Sequence, residues 1–248
     1  MNIVLLGKNL DDVRPVLAKY GLVESDPSAA ELVVAHGGDG ALLGAQRAYP
    51  LLPKLPIRDA ATAAPCPEHT AERVIAAFVR GELKLRRAPV LEARCGGEVI
   101  RGINDLVIHS LEYVSALRYR VFIDGELYAR EVVGDGVCFS GVHGSTAYYR
   151  SITHSIFRVG LGLAFSNSTE EVSHLVLSEK SHIEIEIVRG PGVLTADNSP
   201  ERLPLKTGDV VEMFQVDEAA EVIGLAEFLC PKCRALRHPN KLPFKGYF

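Results

Sequence analysis

Three short clusters hold the side chains whose types and spacing suit chemistry. The first is His36-Gly37-Gly38-Asp39-Gly40. Glycines let a backbone approach a ligand closely and take positive φ. A helix starting behind such a turn aims its N-terminal N–H groups and its dipole at a bound phosphate. An aspartate there repels an anion, so Asp39 makes sense as a group that handles a proton or a metal ion beside that phosphate. The competing account is a tight turn in which Asp39 only caps the helix. The second cluster is Gly102-Ile103-Asn104-Asp105, immediately before the apolar run Leu106-Val107-Ile108. An amide and a carboxylate suit ribose hydroxyls or a base edge, yet Asn and Asp are also turn formers. The third runs Gly134-Asp135-Gly136 into a strand, then Gly144-Ser145-Thr146-Ala147-Tyr148, with Ser151 further on. Small hydroxyl residues before an aromatic would let a ligand lie against the backbone at Thr146 and Ala147, with Tyr148 as a flat wall. The alternative is a loop whose Ser145 or Thr146 caps a helix.

These clusters need elements to hold them. Residues 3–6 (IVLL) and 32–35 (LVVA) are short apolar runs of buried-strand type. Val13, Val16, Leu17 and Tyr20 fall on one helical face, with Gly21 placed to end the helix. The glycine turn at 36–40 follows its strand at once and precedes a helix-prone stretch, the grammar of an α/β nucleotide domain. Pro50, Pro53 and Pro56 break the next stretch, and a helix is expected from about Glu68 to Arg80, closed by Gly81. From about residue 82 the period is mostly two. Leu117, Tyr119, Val121 and Ile123 alternate with polar residues before an Asp124-Gly125 hairpin turn, and Ile183, Ile185 and Ile187 alternate with His182, Glu184 and Glu186. The expectation is a mixed α/β domain over 1–92, a β-rich domain over 93–216, and a C-terminal segment, 217–248, returning to the first. With no flexible linker between the halves, the seam between them is the expected place for a small-molecule site.

Composition bounds the function. The chain has 248 residues, 47% of them hydrophobic and 23% charged, as in ordinary globular proteins. A net charge of −4 gives no general basic field for nucleic acid. No apolar run approaches the roughly 18 residues of a membrane span, and the N-terminal apolar stretch is too short for a signal peptide. Five cysteines form no dense framework, which fits a reduced, cytoplasmic protein.

In order, GGDG, an Asn-acidic pair before a strand, and DG…GSTAY resemble the NAD kinase family. HLVLSEKSHIEIEIV, Asp197 and LKTGDVVEM are similar to that family's closing strands. GGDG alone also occurs in diacylglycerol and sphingosine kinases and in phosphofructokinases; the ordered set is more specific. The resemblance implies a Rossmann-like N-terminal domain and a β-rich, sandwich-like C-terminal domain with NAD in the crevice between them. It implies transfer of the ATP γ-phosphate to the adenosine ribose 2′-hydroxyl, with Mg²⁺ or another divalent cation on the triphosphate. On this footing Asp39 matches the catalytic aspartate, and Gly37, Gly38 and Gly40 would cradle phosphates. Asn104 and Asp105 match the NAD-binding pair, and Thr146, Ala147, Tyr148 and Ser151 match a stretch that contacts NAD. A homo-oligomer, a dimer or tetramer built through the β-rich half, is implied as well. The alternatives are a lipid kinase of the GGDG branch and a catalytically silent nucleotide-binding regulator.

The sequence also departs from the family pattern. Ala41 stands where a Thr usually follows GGDG. The stretch LPKLPIRDAATAAPC replaces a glycine- and asparagine-rich loop, Ile152-Thr153-His154-Ser155 replaces AGGP, and Asp197-Asn198 replaces a late Asp-Gly. Cys230-Pro-Lys-Cys233 has the spacing of a zinc half-site, but with His238 as the only nearby partner the four ligands of a structural site are not met within the segment. No metal ligand is assigned, and an exposed thiol pair or a packed tail is expected. His36, His143 and His154 flank the clusters; each could meet a phosphate or satisfy the backbone.

Overall fold

A computed structural model describes residues 1–62 and 65–237. The chain forms two compact units, one of Met1–Ala88 with the chain from Ala220 onward, the other of Pro89–Ala219. The crossings fall inside two long strands, so no linker separates the units.

The first unit opens with β1 (Asn2–Gly7), α1 (Leu10–Lys19), β2 (Val23–Glu24), β3 (Leu32–Gly37), α2 (Asp39–Ala48), β4 (Lys54–Arg58) and α3 (Ala71–Val79). Strands β2, β1, β3 and β4 lie side by side and parallel. Such strands are covered on both faces, hence the unbroken apolar runs. Ile3, Leu32, Val34 and Leu55 pack with Val13 and Leu17 of α1 and Ile75 of α3. The alternate residues Val4, Val33 and Ala35 pack with Ala45 of α2. The period of two within each strand therefore sorts side chains between two helical layers.

Two local expectations change. Residues Pro67–His69 form a single 3-10 turn, and α3 begins only after Thr70, whose extended backbone (ψ 154°) interrupts the helix and whose hydroxyl accepts the Arg73 N–H at 3.4 Å. Pro56, expected as a breaker, lies inside β4 opposite Ala35. On its other side β4 meets its neighbour through Lys54 alone, so little of a ladder is there for a proline to break.

The second unit is all strands apart from one short helix. It contains most of β5 (Leu85–Cys95), then β6 (Glu98–Gly102), β7 (Asp105–Ser110), β8 (Leu117–Ile123), β9 (Glu126–Gly134) and β10 (Gly136–Ser140). A 3-10 turn at Gly144–Thr146 and helix α4 (Tyr148–Thr153) follow, then β11 (Leu161–Ser166), β12 (His174–Leu177), β13 (Ile183–Arg189), β14 (Gly192–Ala196), β15 (Leu203–Leu205) and the start of β16 (Val210–Ile223). The Asp124-Gly125 turn has φ of 53° and 83° and joins β8 to β9, as its residue types require. One sheet has the order β12-β11-β10-β7-β14-β15. The other carries β9, β8, β13 and β16. Leu106 and Ile108 of the first sheet share a core with Tyr119, Val121, Ile183 and Ile185 of the second, which makes the unit a β-sandwich.

The end of β16 returns to the first unit, where Val222 pairs with Lys54. Helices α5 (Leu225–Phe228) and α6 (Pro231–Arg237) follow, and Phe228 packs with Leu42 of α2. Among the described residues, no helix is long and apolar enough to cross a membrane. His238 and residues 239–248 of the tail lie outside the described residues.

Candidate active site

In an open parallel sheet, ligands bind beyond the carboxyl ends of the strands. In the first unit those ends are Gly7, Gly37 and Arg58, held side by side by the register Gly7↔His36 and Gly37↔Arg58. Gly7 has φ 129°, and a Cβ on it would stand 1.9 Å from the His36 carbonyl oxygen, so no other residue fits. His36 is buried, with Nδ1 2.7 Å from the Lys8 carbonyl oxygen, which satisfies the ring against backbone. Gly38 occupies the cap position of α2 and Asp39 is the first helical residue.

Asp39 is 65% exposed at the side chain, whereas Arg58 is 4% exposed. Arg58 Nη2 donates to Asp39 Oδ1 at 3.0 Å. Arg58 Nε and Nη2 also donate to the Phe228 carbonyl oxygen, at 3.2 and 2.9 Å. The guanidinium carbon lies 3.6 Å from the centre of the Phe228 ring. A rigid cation thus fixes an otherwise exposed carboxylate at a helix N-terminus. Next to it, Asn9 Nδ2 donates to Asp59 Oδ2 at 2.9 Å, linking the ends of β1 and β4. Burial raises the Asp59 pKa, but hydrogen bonds from Ala61, Thr62 and Asn9, with the nearby His36, outweigh it and hold the carboxyl below its ordinary value. Ala41, which lacks the hydroxyl usual after GGDG, faces Gly37; a Cβ on that glycine would come within 2.9 Å of the Ala41 methyl.

In the second unit three segments distant in sequence meet at one end of adjacent strands. Strand β7 starts there, and its antiparallel neighbours β10 and β14 end there. Asp197, just past β14, accepts the backbone N–H groups of Ile103, Asn104 and Asp105 at 3.0, 2.8 and 3.2 Å. The Asn104 carbonyl accepts from Ser140 Oγ at 3.1 Å and from Gly141 N–H at 3.2 Å. A Cβ on Gly144 would stand 1.9 Å from that same carbonyl oxygen, so glycine is what lets the Gly144–Thr146 turn rest on Asn104. Asp105 is buried and its carboxylate accepts the Tyr148 backbone N–H. Burial, then the Asp197 charge, push the Asp105 pKa up to about 7, against the pull of that hydrogen bond. Burial raises Asp197 too, opposed by its three backbone donors and by His143.

Asn104, Asp105, Thr146, Ala147, Tyr148 and Ser151 are thus neighbours on one edge. Ala147, Tyr148 and Ser151 are exposed, and Ser151 Oγ donates to the Tyr148 carbonyl at 2.7 Å. His154 is exposed at the end of α4 with φ 55°. Gly37, Gly38, Asp39 and Gly40 form the other group. Sequence reasoning left out Arg58 and Asp59, and it noted Asp197 only as a likeness, not as the residue that organises Asn104 and Asp105. The one local signal for the first two was a charged Arg-Asp pair directly after the apolar stretch of β4.

No protein-family model matches the chain. It is 32% identical over 148 residues to an NAD kinase of Clostridium perfringens, covering 56% of this chain and 53% of that protein. It is 26% identical over 217 residues to an NAD kinase of Escherichia coli, covering 80% and 73% of the two chains. The chain therefore spans about half the length of the Clostridium relative in that match. Among solved structures, yeast NADH kinase complexed with NADH superposes with a TM-score of 0.79 at 18% identity, over 100% of this chain and 89% of that one. An NAD kinase from Archaeoglobus fulgidus in complex with ATP gives 0.75 at 16% identity, over 95% and 99%.

The fold, a discontinuous α/β unit with a β-sandwich unit inserted in it, is the one shared by these nucleotide kinases. With the sequence matches added, the chain is similar to the NAD kinases in both fold and sequence.

Proposed function

We propose that this protein is an ATP-dependent NAD kinase that makes NADP. The observation that carries the proposal is Asp39: an exposed carboxylate at the start of a helix, behind a glycine turn, held in one orientation by the buried Arg58. In the proposed reaction the ribose 2′-hydroxyl of NAD gives its proton to Asp39 as its oxygen bonds to the γ-phosphorus. The bond from that phosphorus to the bridging oxygen breaks, and ADP leaves. Phosphoryl transfer asks for positioning, charge neutralisation and one proton acceptor, and the residues present can supply each.

Gly37, Gly38 and Gly40 would cradle phosphates against the start of α2. Asn104 and Asp105 would hold the adenosine ribose or the base edge, and Thr146, Ala147, Tyr148 and Ser151 would form a wall for NAD. The Asp105 carboxyl, pushed up to about 7, can donate or accept a hydrogen bond near neutral pH. A hard cation such as Mg²⁺ favours oxygen ligands, which the triphosphate itself offers, and the Asp39 oxygen not bonded to Arg58 Nη2 stays the proton acceptor; when bound, the ion would neutralise charge on the phosphates. A homo-oligomer and a cytoplasmic setting are part of the same proposal.

The test is NADP formation by the purified protein with ATP, Mg²⁺ and NAD or NADH, read with an NADP-specific dehydrogenase. Turnover is expected. Tight NAD binding without turnover would replace the enzyme by a silent nucleotide-binding protein, and phosphorylation of a diacylglycerol or sphingoid base instead would move it to the lipid branch.

A further inference from the structure

The first unit holds a second constellation that the phosphoryl-transfer chemistry does not use. Cys66, His69, Cys230 and Cys233 come from two segments far apart in sequence, yet their sulfur and nitrogen atoms all lie within 4.8 Å of one another. Cys66 Sγ is 3.3 Å from His69 Nδ1 and 3.3 Å from Cys233 Sγ, and His69 Nδ1 is 3.7 Å from Cys233 Sγ. The three cysteines are buried and form a small cluster of their own.

Tetrahedral zinc, at about 2.3 Å from sulfur and 2.0–2.1 Å from nitrogen, separates its ligand atoms by about 3.4–3.8 Å. Of the three separations, 3.7 Å lies within that range and the two of 3.3 Å fall just short of it, and all are far longer than the about 2.05 Å of a disulfide. The sequence spacing is that of a zinc site in both halves: Cys-x₂-His in one segment and Cys-x₂-Cys in the other. Each half is held by its backbone. The His69 N–H donates to the Cys66 carbonyl at 2.9 Å, and the Arg234 N–H donates to the Cys230 carbonyl at 3.0 Å. The Cys66 N–H points at Cys233 Sγ, 3.2 Å away, an orientation that stabilises a thiolate rather than a thiol. Three thiolates and a neutral imidazole around Zn²⁺ leave one net negative charge; of the neighbouring charges, Lys232 Nζ lies 3.5 Å from Glu68 Oε1, an ion pair that bridges the two segments.

We propose that Cys66, His69, Cys230 and Cys233 bind one structural zinc ion. This departs from the expectation of no metal and of an exposed thiol pair: the missing ligands of the Cys230/Cys233 half-site are supplied from within the same unit. The donor set is closed, four protein ligands with no open position, so its role is to hold the fold rather than to react. It ties the segment after β4 to the α5–α6 connection and the first turn of α6, closing a loop of 167 residues between Cys66 and Cys233. Both segments border the Arg58–Phe228 contact, so the ion would clamp the seat on which Arg58 rests.

The test uses the full chain without a histidine tag, purified without chelator. One zinc per chain by elemental analysis is expected, with none retained in Cys233→Ser and one retained in Cys138→Ser. His69→Cys keeps four ligands and is expected to retain the metal. Cobalt added to metal-free wild type is expected to give tetrahedral visible bands with a thiolate charge-transfer band, which decides the matter even where Cys233→Ser fails to fold. Wild-type protein that takes up neither zinc nor cobalt and keeps five free thiols overturns the proposal, as does a Cys66–Cys233 disulfide. Because metal content is read without substrate, these outcomes stand apart from whether NADP is made.

Discussion

The Asp39 carboxylate and the Arg58 guanidinium lie 3.0 Å apart across a steep gradient of exposure, the acid 65% exposed and the base 4%. The base is anchored independently of the acid, by the carbonyl and ring of Phe228. The carboxylate end is solvated, and Arg58 keeps its Phe228 contacts without it, so this pair is better explained by orientation than by folding.

Asp39→Asn is therefore expected to leave the melting temperature and NAD binding close to wild type. NADP formation should fall by at least the about 10²- to 10⁴-fold ascribed to a general base. Initial rates beside a thermal melt and NAD titration check it; a fully active variant removes Asp39 from the mechanism.

Arg58→Met should behave differently, because the side chain is buried. It strands the Phe228 carbonyl and removes the stacking, for a loss of about 2–4 kcal/mol by denaturant titration. Activity measured well below the new melting temperature is still expected to drop, since Asp39 loses its tether. Arg58→Lys keeps the charge but cannot reach both Asp39 and the carbonyl with a planar fork, so it should recover stability only in part.

Asp105 predicts a pH dependence. Its folded pKa of about 7 stands above the ordinary 3.8, so the folded state binds the proton more tightly than the unfolded chain does. Stability from this group is present below about pH 4 and is lost as pH rises to about 7. The full excursion caps the effect at about 4 kcal/mol. Asp105→Asn should flatten the stability profile between pH 4 and 7 and raise stability at pH 8, measured by urea unfolding across pH, while weakening NAD binding.

Gly144→Ala tests the contact between the Gly144–Thr146 turn and Asn104. The new methyl would overlap the Asn104 carbonyl, 1.9 Å away, so turn or strand must move. Overpacking of this kind costs about 1–3 kcal/mol, and the KM for NAD should rise more than kcat falls. An unchanged KM would show that the turn does not shape the NAD site.

Much of the architecture was legible because period and turn chemistry are local. Val13, Leu17 and Gly21 marked α1 and its end, Asp124-Gly125 marked a hairpin, and the isoleucines at 183, 185 and 187 marked the inward face of β13. The glycine turn before α2 was equally plain. What was hidden depends on register and topology. Arg58 reaches Asp39 because β3 and β4 pair Gly37 with Arg58, a relation no motif encodes. Pro56 masked that strand. Asp197 gathers the backbone of 103–105 only because β14 and β7 are neighbours in the sheet. Cys66 and His69 are legible as half a zinc site only once a second half 164 residues away, Cys230 and Cys233, is known to be adjacent.

The seat of Arg58 has a consequence for the life of the polypeptide. The ribosome delivers the glycine turn and the guanidinium early, but the carbonyl and ring that seat the guanidinium emerge 170 residues later. Until Phe228 has been made, the guanidinium that holds Asp39 lacks its own seat. The orientation of Asp39 thus depends on α5, and a fragment ending before Phe228 would lack it.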